Sequence, residues 1–383
     1  MKRAARPALV AASLFALALL VQTGPAAAAS GDAAAPSRLG AASTSTRTIV
    51  DMVGRRVHVP GTIRKVYCTS PVGTILVYTL APEKLAGWNY PLTAAEREYI
   101  AAPFRDLPVL GGWFGKGNSA NVEEIIAAQP DAILSMGTTD PLSITQSERL
   151  QAQSGIPVIV MSGALARLDD AYIFAGELLG ARERASRLAA YCRSAVAEAR
   201  SIAATIPPAA RVRVYYAEGP RGLETDPAGS YHTELLDLVG AINVAGAAPA
   251  SPQGQVAVSF EQLIAWDPDV IIIGYNYGQR SGLQLDRLAA DPTWRQLRAV
   301  RQRRVYETPQ VPFNWFDRPP SVNRIIGIRW LGQLLYPDRY RRDLRRDVRD
   351  FYETFYHVTL TDEQIAHLLQ RAMPPDWDAA GGI

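Results

Sequence analysis

Residues 183–206 read ERASRLAAYCRSAVAEARSIAATI, a run without Gly or Pro. Leu188, Tyr191, Cys192, Ala195, Ala199, Ile202 and Ile206 recur at spacings of one, three or four, so a single apolar stripe runs along a helix. Gly180 and Pro207-Pro208 bracket it as stop signals. At 1.5 Å per residue the run reaches about 36 Å, the width of a small domain. A helix of that length either braces two flanking lobes or covers the surface of one.

On both sides of it, short apolar runs alternate with helical patterns, the signature of βαβ units and a mostly parallel sheet. Before it, strands are expected at 65–68, 85–88, 132–134 and 158–161, with helices at 73–79, 122–128 and 145–154. After it, strands are expected at 211–216, 270–273 and 304–307, with helices at 233–239, 260–266, 294–299 and 321–335. Two phrases echo across the halves. Asn121-Val122-Glu123-Glu124-Ile125 leads to Pro130-Asp131-Ala132-Ile133, and Ser259-Phe260-Glu261-Gln262-Leu263 leads to Pro268-Asp269-Val270-Ile271. In each, an Asn or Ser caps an acidic helix start that runs into Pro-Asp and a buried strand. The expected fold is α/β: two Rossmann-like lobes with mostly parallel sheets, residues 47–182 and 207–373, joined by the rigid helix at 183–206.

The outer segments are of another kind. Residues 1–29 carry a basic start, a 14-residue apolar run from Ala8 to Val21 and a small-residue exit. A hydrocarbon core of about 30 Å needs roughly 20 helical residues, so this reads as a secretory signal cleaved near Ala28 or Ala29, with an uncleaved anchor as the alternative. Residues 30–46 read as a flexible leader and 374–383 as a tail. No Cys lies directly after the apolar run, which argues against a lipid anchor. Without the first 29 residues the chain has 37 basic against 37 acidic residues, so no nucleic-acid footprint is expected. Cys68 and Cys192, the only cysteines, read as two buried free thiols.

Catalytic signatures are missing: there is no Gly-x-Ser-x-Gly elbow, no phosphate loop ending in Gly-Lys-Ser/Thr and no His-Glu-x-x-His. His58, His357 and His367 are scattered and read as solvated. Aromatic residues cluster instead in loops after strands, where open α/β sheets bind ligands. These are Trp88-Asn89-Tyr90, Trp113-Phe114 between glycines, Tyr275-Asn276-Tyr277, and Trp315-Phe316-Asp317-Arg318. Such walls suit a bulky, partly apolar ligand. Arg221, Arg318 and Arg324 are candidates for anionic ligand oxygens, or for pairing with nearby Glu224 and Asp317. Tyr231 and His232, at a helix start, are further ligand candidates, but one His beside one Tyr is a poor metal cage, and no resident metal or cofactor is expected. Arg339–Arg349, alternating with Asp343 and Asp347, reads as a solvated face.

In order and spacing, Asp51-Met52-Val53-Gly54-Arg55, Pro108-Val109-Leu110-Gly111, residues 121–131, Gly155-Ile156-Pro157-Val158, Leu178-Leu179-Gly180, residues 240–245 and residues 259–269 resemble the periplasmic binding proteins that bring ferric siderophores, cobalamin or related chelates to ABC importers. The resemblance spans roughly residues 47–370. It implies a ligand between two lobes and one glutamate per lobe docking to arginines of a permease dimer, here Glu123 and Glu261. It carries ligand contacts to Trp88, Tyr90, Trp113, Trp315, Phe316 and Arg318.

The expected function is therefore a monomeric, non-enzymatic, non-lipidated periplasmic binding protein for an iron chelate. Cobalamin, heme or a nickel chelate is the alternative cargo. An exported two-domain enzyme or redox component is the rival class, although two distant cysteines cannot hold an iron–sulfur cluster alone.

Overall fold

A computed structural model describes residues 45–114, 117, 118, 120–246, 255–274, 283–375 and 377. The expected signal segment, most of the leader, most of the tail and Tyr275 lie outside the described residues. The fold begins with an antiparallel hairpin, Thr46–Val50 (β1) and Arg56–Pro60 (β2), with His58 exposed on it. Val66–Cys68 (β3) follows, then the helices Pro71–Leu80 (α1) and Ala94–Glu98 (α2), and a short ribbon of Trp113–Phe114 (β4) and Gly117–Asn118 (β5). Val122–Ala127 (α3), Ala132–Gly137 (β6), Pro141–Ser154 (α4), Val158–Ser162 (β7) and Leu168–Leu179 (α5) complete this half. Its sheet has the order β3-β6-β7, all parallel. Both faces are covered by helices, which is why β3 and β7 are buried at every residue.

The long helix spans Arg182–Ala204 (α6), starting one residue earlier and ending two earlier than its pattern predicts. Ala185, Leu188, Ala189, Cys192, Ala195, Val196 and Ala199 form its buried stripe. One edge packs on α5, whose Gly176 comes so close that an added Cβ would lie 2.2 Å from the Cβ of Ala185.

The second half carries Arg213–Ala217 (β8), Glu224–Thr225 (β9), Glu234–Leu238 (α7), Ile242–Asn243 (β10), Val256–Ala257 (β11), Phe260–Trp266 (α8), Val270–Ile273 (β12), Leu283–Ala290 (α9), Arg298–Arg301 (α10) and Val305–Glu307 (β13). Arg324–Leu335 (α11), Leu344–Phe351 (α12), a π-helical turn at Tyr352–Tyr356 and Asp362–Leu369 (α13) end it. The parallel sheet runs β10-β8-β12-β13, and β9 pairs antiparallel with β11. Helices α7 and α11 also pack on α6, so that helix touches helices from both halves.

The echoed phrases serve the same purpose twice. Asn121 accepts from the Glu123 amide (3.0 Å) and Ser259 from the Gln262 amide (3.1 Å), capping α3 and α8. Asp131 then accepts from the amides of Arg64 (2.6 Å) and Lys65 (2.9 Å), just before β3. Asp269 likewise accepts from the amide of Arg213, which opens β8 (2.9 Å). Each aspartate pins the start of the neighbouring strand.

Several expectations are corrected. Residues 85–88 are not a strand: they make only single bridges, Leu85 to Val66 and Trp88 to Val109. Residues 294–299 split into a 3-10 turn and the start of α10, and the helix expected from Ser321 starts at Arg324. The 339–349 stretch is not simply a solvated face. Asp347 is buried and accepts from Arg329 (2.7 Å) and Arg342 (2.8 Å), while Arg329 also donates to Tyr191 of α6 (3.0 Å). Cys68 and Cys192 are buried free thiols, and burial pushes the Cys68 thiol up to about 12.

Candidate functional site

The carboxyl ends of β8 and β9 and the loop between β13 and α11 bring four charged side chains together. Glu218 follows β8, Asp226 follows β9, and Asp317 and Arg318 lie in the 313–318 loop. Arg318 donates through Nε to Glu218 (2.6 Å) and through Nη2 to Asp226 (2.6 Å), and its Nε lies 3.4 Å from Asp317. All three carboxylates are fully buried, whereas the Arg318 side chain keeps 16% of its surface exposed. His232, in the loop before α7, turns Nδ1 to Asp317 (2.8 Å).

The loop is fixed locally. Asn314 accepts from the amides of Phe316 (2.7 Å) and Asp317 (2.9 Å) and donates to Thr308 (2.9 Å). Arg318 sits at φ +49, a region that costs a side-chain-bearing residue about 1–2 kcal/mol, and its carboxylate contacts hold it there.

Charge is unevenly balanced in this cluster. Burial, reinforced by Glu218, pushes Asp226 up to about 8, with Arg318 and His232 pulling the other way. Burial also works against the Arg318 charge, but Asp317, Glu218 and Asp226 outweigh it and raise its pKa. Glu218 Oε2, Asp226 Oδ1 and Asp317 Oδ2 are buried without a hydrogen-bond partner. One donor atom each from Asp226, His232 and Asp317 lie within 4.8 Å of one another, the set among the described residues that could approach a cation. These acceptors lie behind the part-exposed His232 and Arg318.

The first half contributes an aromatic rim at the carboxyl end of β3. Asn89 donates to the carbonyls of Cys68 and Gly111 (both 2.8 Å) and accepts from Thr74 (2.6 Å). The Trp113 amide donates to Thr69 (2.8 Å), which seats the β4 ribbon on the strand end. Tyr90 packs against Phe114 (6.2 Å between centroids) and against Phe313 (6.5 Å), so the 313–318 loop runs from this rim to the acidic cluster.

Residues 112–312, more than half of the chain, match the periplasmic binding protein family. An ABC transporter solute binding protein from Sulfurospirillum deleyianum is 32% identical, with a TM-score of 0.78, over 85% of this chain and 99% of that one. This chain belongs to the periplasmic binding protein family. The molybdate-binding protein MolA of Haemophilus influenzae is 25% identical over 367 residues, 86% of this chain and 96% of that protein. A periplasmic solute binding protein from Veillonella parvula shares the fold, with a TM-score of 0.69 at 22% identity over 86% of this chain and 99% of that one. These relatives are solute-binding proteins. No helix among the described residues is long and apolar enough to cross a membrane.

In this periplasmic binding protein the expected ligand contacts divide in two. Tyr90, Trp113, Phe114, Tyr231, His232 and Arg318 are part-exposed, and Arg221 is exposed on the turn after β8. Trp88, Trp315 and Phe316 depart from expectation, being 3%, 0% and 0% exposed. The Trp88 indole donates to Phe104 (2.8 Å) and the Trp315 indole to Tyr352 (3.2 Å), while Phe316 stacks on Tyr216 at 4.2 Å. Their rings are spent on packing. Arg324 is spent too: fully buried, it donates to Glu234 (2.8 Å), Tyr231 O (3.1 Å) and Gly163 O (2.8 Å). Glu123 and Glu261 are exposed in the first turns of α3 and α8. The sequence does not single out Glu218 and Asp226 as partners of Arg318, although Glu218 directly follows an apolar strand, the feature that points to the aromatic loops.

Proposed function

We propose that this protein is the cargo-binding component of an ABC importer and that its cargo is a metal chelate, with iron the first metal to test. It acts by binding, not by catalysis, on export behind a cleavable signal, with two lobes (47–182 and 207–373) braced by the helix between them. The observation that carries the reading is the cluster of Glu218, Asp226, Asp317, Arg318 and His232, joined through the 313–318 loop to the rim of Tyr90, Trp113 and Phe114. Aromatic faces cover the organic periphery of a chelate, while part-exposed His232, with the carboxylates of Asp226 and Asp317 behind it, suits its cationic or donor side.

Delivery assigns Glu123 and Glu261 to docking on the permease dimer, one from each echoed phrase.

A second reading, an oxyanion cargo, is favoured by a different observation. Ser70 leaves the α1 N-terminus without a side-chain cap, because its hydroxyl donates to Met136 O (2.8 Å). A helix start with free amides attracts anions, and one relative is a molybdate-binding protein. Calorimetric titration with ferric chelates, heme, cobalamin, nickel chelates and molybdate separates the two. Heat with a ferric chelate and none with molybdate supports the first reading; heat with molybdate alone replaces it by the second.

A further inference from the structure

Among the described residues, the buried carboxylate oxygens without a hydrogen-bond partner are Glu218 Oε2, Asp226 Oδ1 and Asp317 Oδ2, all in the cluster around Arg318. The Tyr216 hydroxyl, also buried without a partner, feels the charges of Glu218, Asp317, Arg318 and Asp226. Against three carboxylates stand one guanidinium and one imidazole. With Glu218 and Asp317 ionised, the cluster is neutral only when Asp226 and His232 both carry a proton. In every other state it is negative. Arg318 is not free to meet an anion, because Glu218 and Asp226 hold its Nε and Nη2, both at 2.6 Å. An anionic cargo that drew it outward would leave buried carboxylates without a counter-charge. Gln255 also donates to Glu218 (3.1 Å), but it brings no charge. Arg324 is matched by Glu234 (2.8 Å), and Arg221 stands in solvent, where its charge is screened. The rim reached through the 313–318 loop is aromatic, and ring faces attract cations.

We propose that the site selects its cargo by charge, taking cationic or neutral metal complexes and turning away anionic ones. Glu218, Asp226 and Asp317 set that preference from behind the surface. The proposal rests on the chelate-binding reading and names the class of chelate. The carboxylates act without touching the cargo: in a low-dielectric wall a charge is felt at distances where water would damp it. Arg318 and His232, which face the cargo, offset part of this field and fix its direction.

The test is calorimetric titration of the purified protein with chelates that differ in charge but little in shape. Cationic ferrioxamine B is set against its neutral N-acetyl and anionic N-succinyl derivatives, and cationic aquocobalamin against neutral cyanocobalamin. The neutral nickel–histidine complex is set against anionic nickel–citrate, while heme, a ferric tris-catecholate and molybdate supply further anions. In each series that gives heat, the more positive member is expected to bind at least about fivefold tighter, and Glu218→Gln to narrow that ratio at least about twofold. A smaller difference in the native protein, a ratio that a folded Glu218→Gln variant leaves unchanged, or heat with heme or the tris-catecholate alone would overturn the inference and leave the chelate-binding reading standing. Heat with molybdate alone, or with nothing, would overturn both.

Discussion

Arg324 of α11 donates to the carbonyl of Gly163, the residue that follows β7, at 2.8 Å, so the two sheets are tied by a charged donor at the rim of the site. Tyr231 adds a second donor to the same carbonyl (3.0 Å), with Arg324 5.0 Å from its ring centroid. Glu234, paired with Arg324, accepts from the Leu165 amide (3.1 Å). Both terminal nitrogens of Arg324 are satisfied, which is what a buried polar network needs to stabilise rather than to cost, while its Nε is left buried without a hydrogen-bond partner.

Gly163 leaves no room for a side chain: an added Cβ would lie 2.3 Å from the Tyr231 hydroxyl. Gly163→Ala should push Tyr231 away and cost about 1–3 kcal/mol, read from urea midpoints. Tyr231→Phe alone should cost about 1 kcal/mol. In the double variant the clash is relieved, so the two losses should sum to less than their parts. Strict additivity would mean that the latch is not where the strain goes.

Asp226 gives a pH dependence of known sign. Its folded pKa of about 8 lies above the unfolded value of about 3.9. Between those values the native state holds a proton that the unfolded chain has released. Stability is therefore greatest below about pH 4 for this group, falls as pH rises, and levels off above about 8, by at most about 1.4 kcal/mol per pH unit. Asp226→Asn resembles the neutral acid and should flatten the slope while Glu218, Arg318 and His232 stay in place. Urea unfolding from about pH 5 to 8.5 reads it; parallel slopes in the two proteins would rule the assignment out.

The docking assignment separates capture from delivery. Glu123→Lys with Glu261→Lys should leave chelate affinity within about twofold, since neither residue belongs to the cluster around Arg318, while uptake of the chelate falls at least about tenfold. Uptake at the wild-type level would refute it. The charges work partly by steering, so the single variants should lose more at low salt than at high salt.

What the sequence makes legible depends on how local the cause is. The α6 stripe, the caps at Asn121 and Ser259 and the buried strands 132–134 and 270–273 rest on neighbours in the chain, and they stand where the pattern places them. Residues 85–88 look like a strand because they are apolar, yet Gly87 is wedged where an added Cβ would meet Pro108 O at 2.3 Å, and only single bridges form. The site depends on distant partners. Arg318 pairs most closely with Glu218 and Asp226, 100 and 92 positions away, while proximity in sequence points to Asp317. Trp315 and Phe316 fall in a loop beside the site, and no periodicity announces that a loop tryptophan points into the core.

The contact between Gly176 and Ala185 tests the brace itself. If α6 braces the two halves, its hold on the first runs through α5, and an added methyl at Gly176 would overlap Ala185. Gly176→Ala should lower stability by about 1–3 kcal/mol through overpacking. Adding Ala185→Gly should recover part of that, less the roughly 1 kcal/mol that a helical glycine costs. If α6 sets how the ligand-binding loops of the two halves meet, Gly176→Ala should also weaken chelate binding from a distance, and the second substitution should restore it. A variant that melts earlier yet binds with unchanged affinity would make α6 a stabilising helix only, with no part in setting the site.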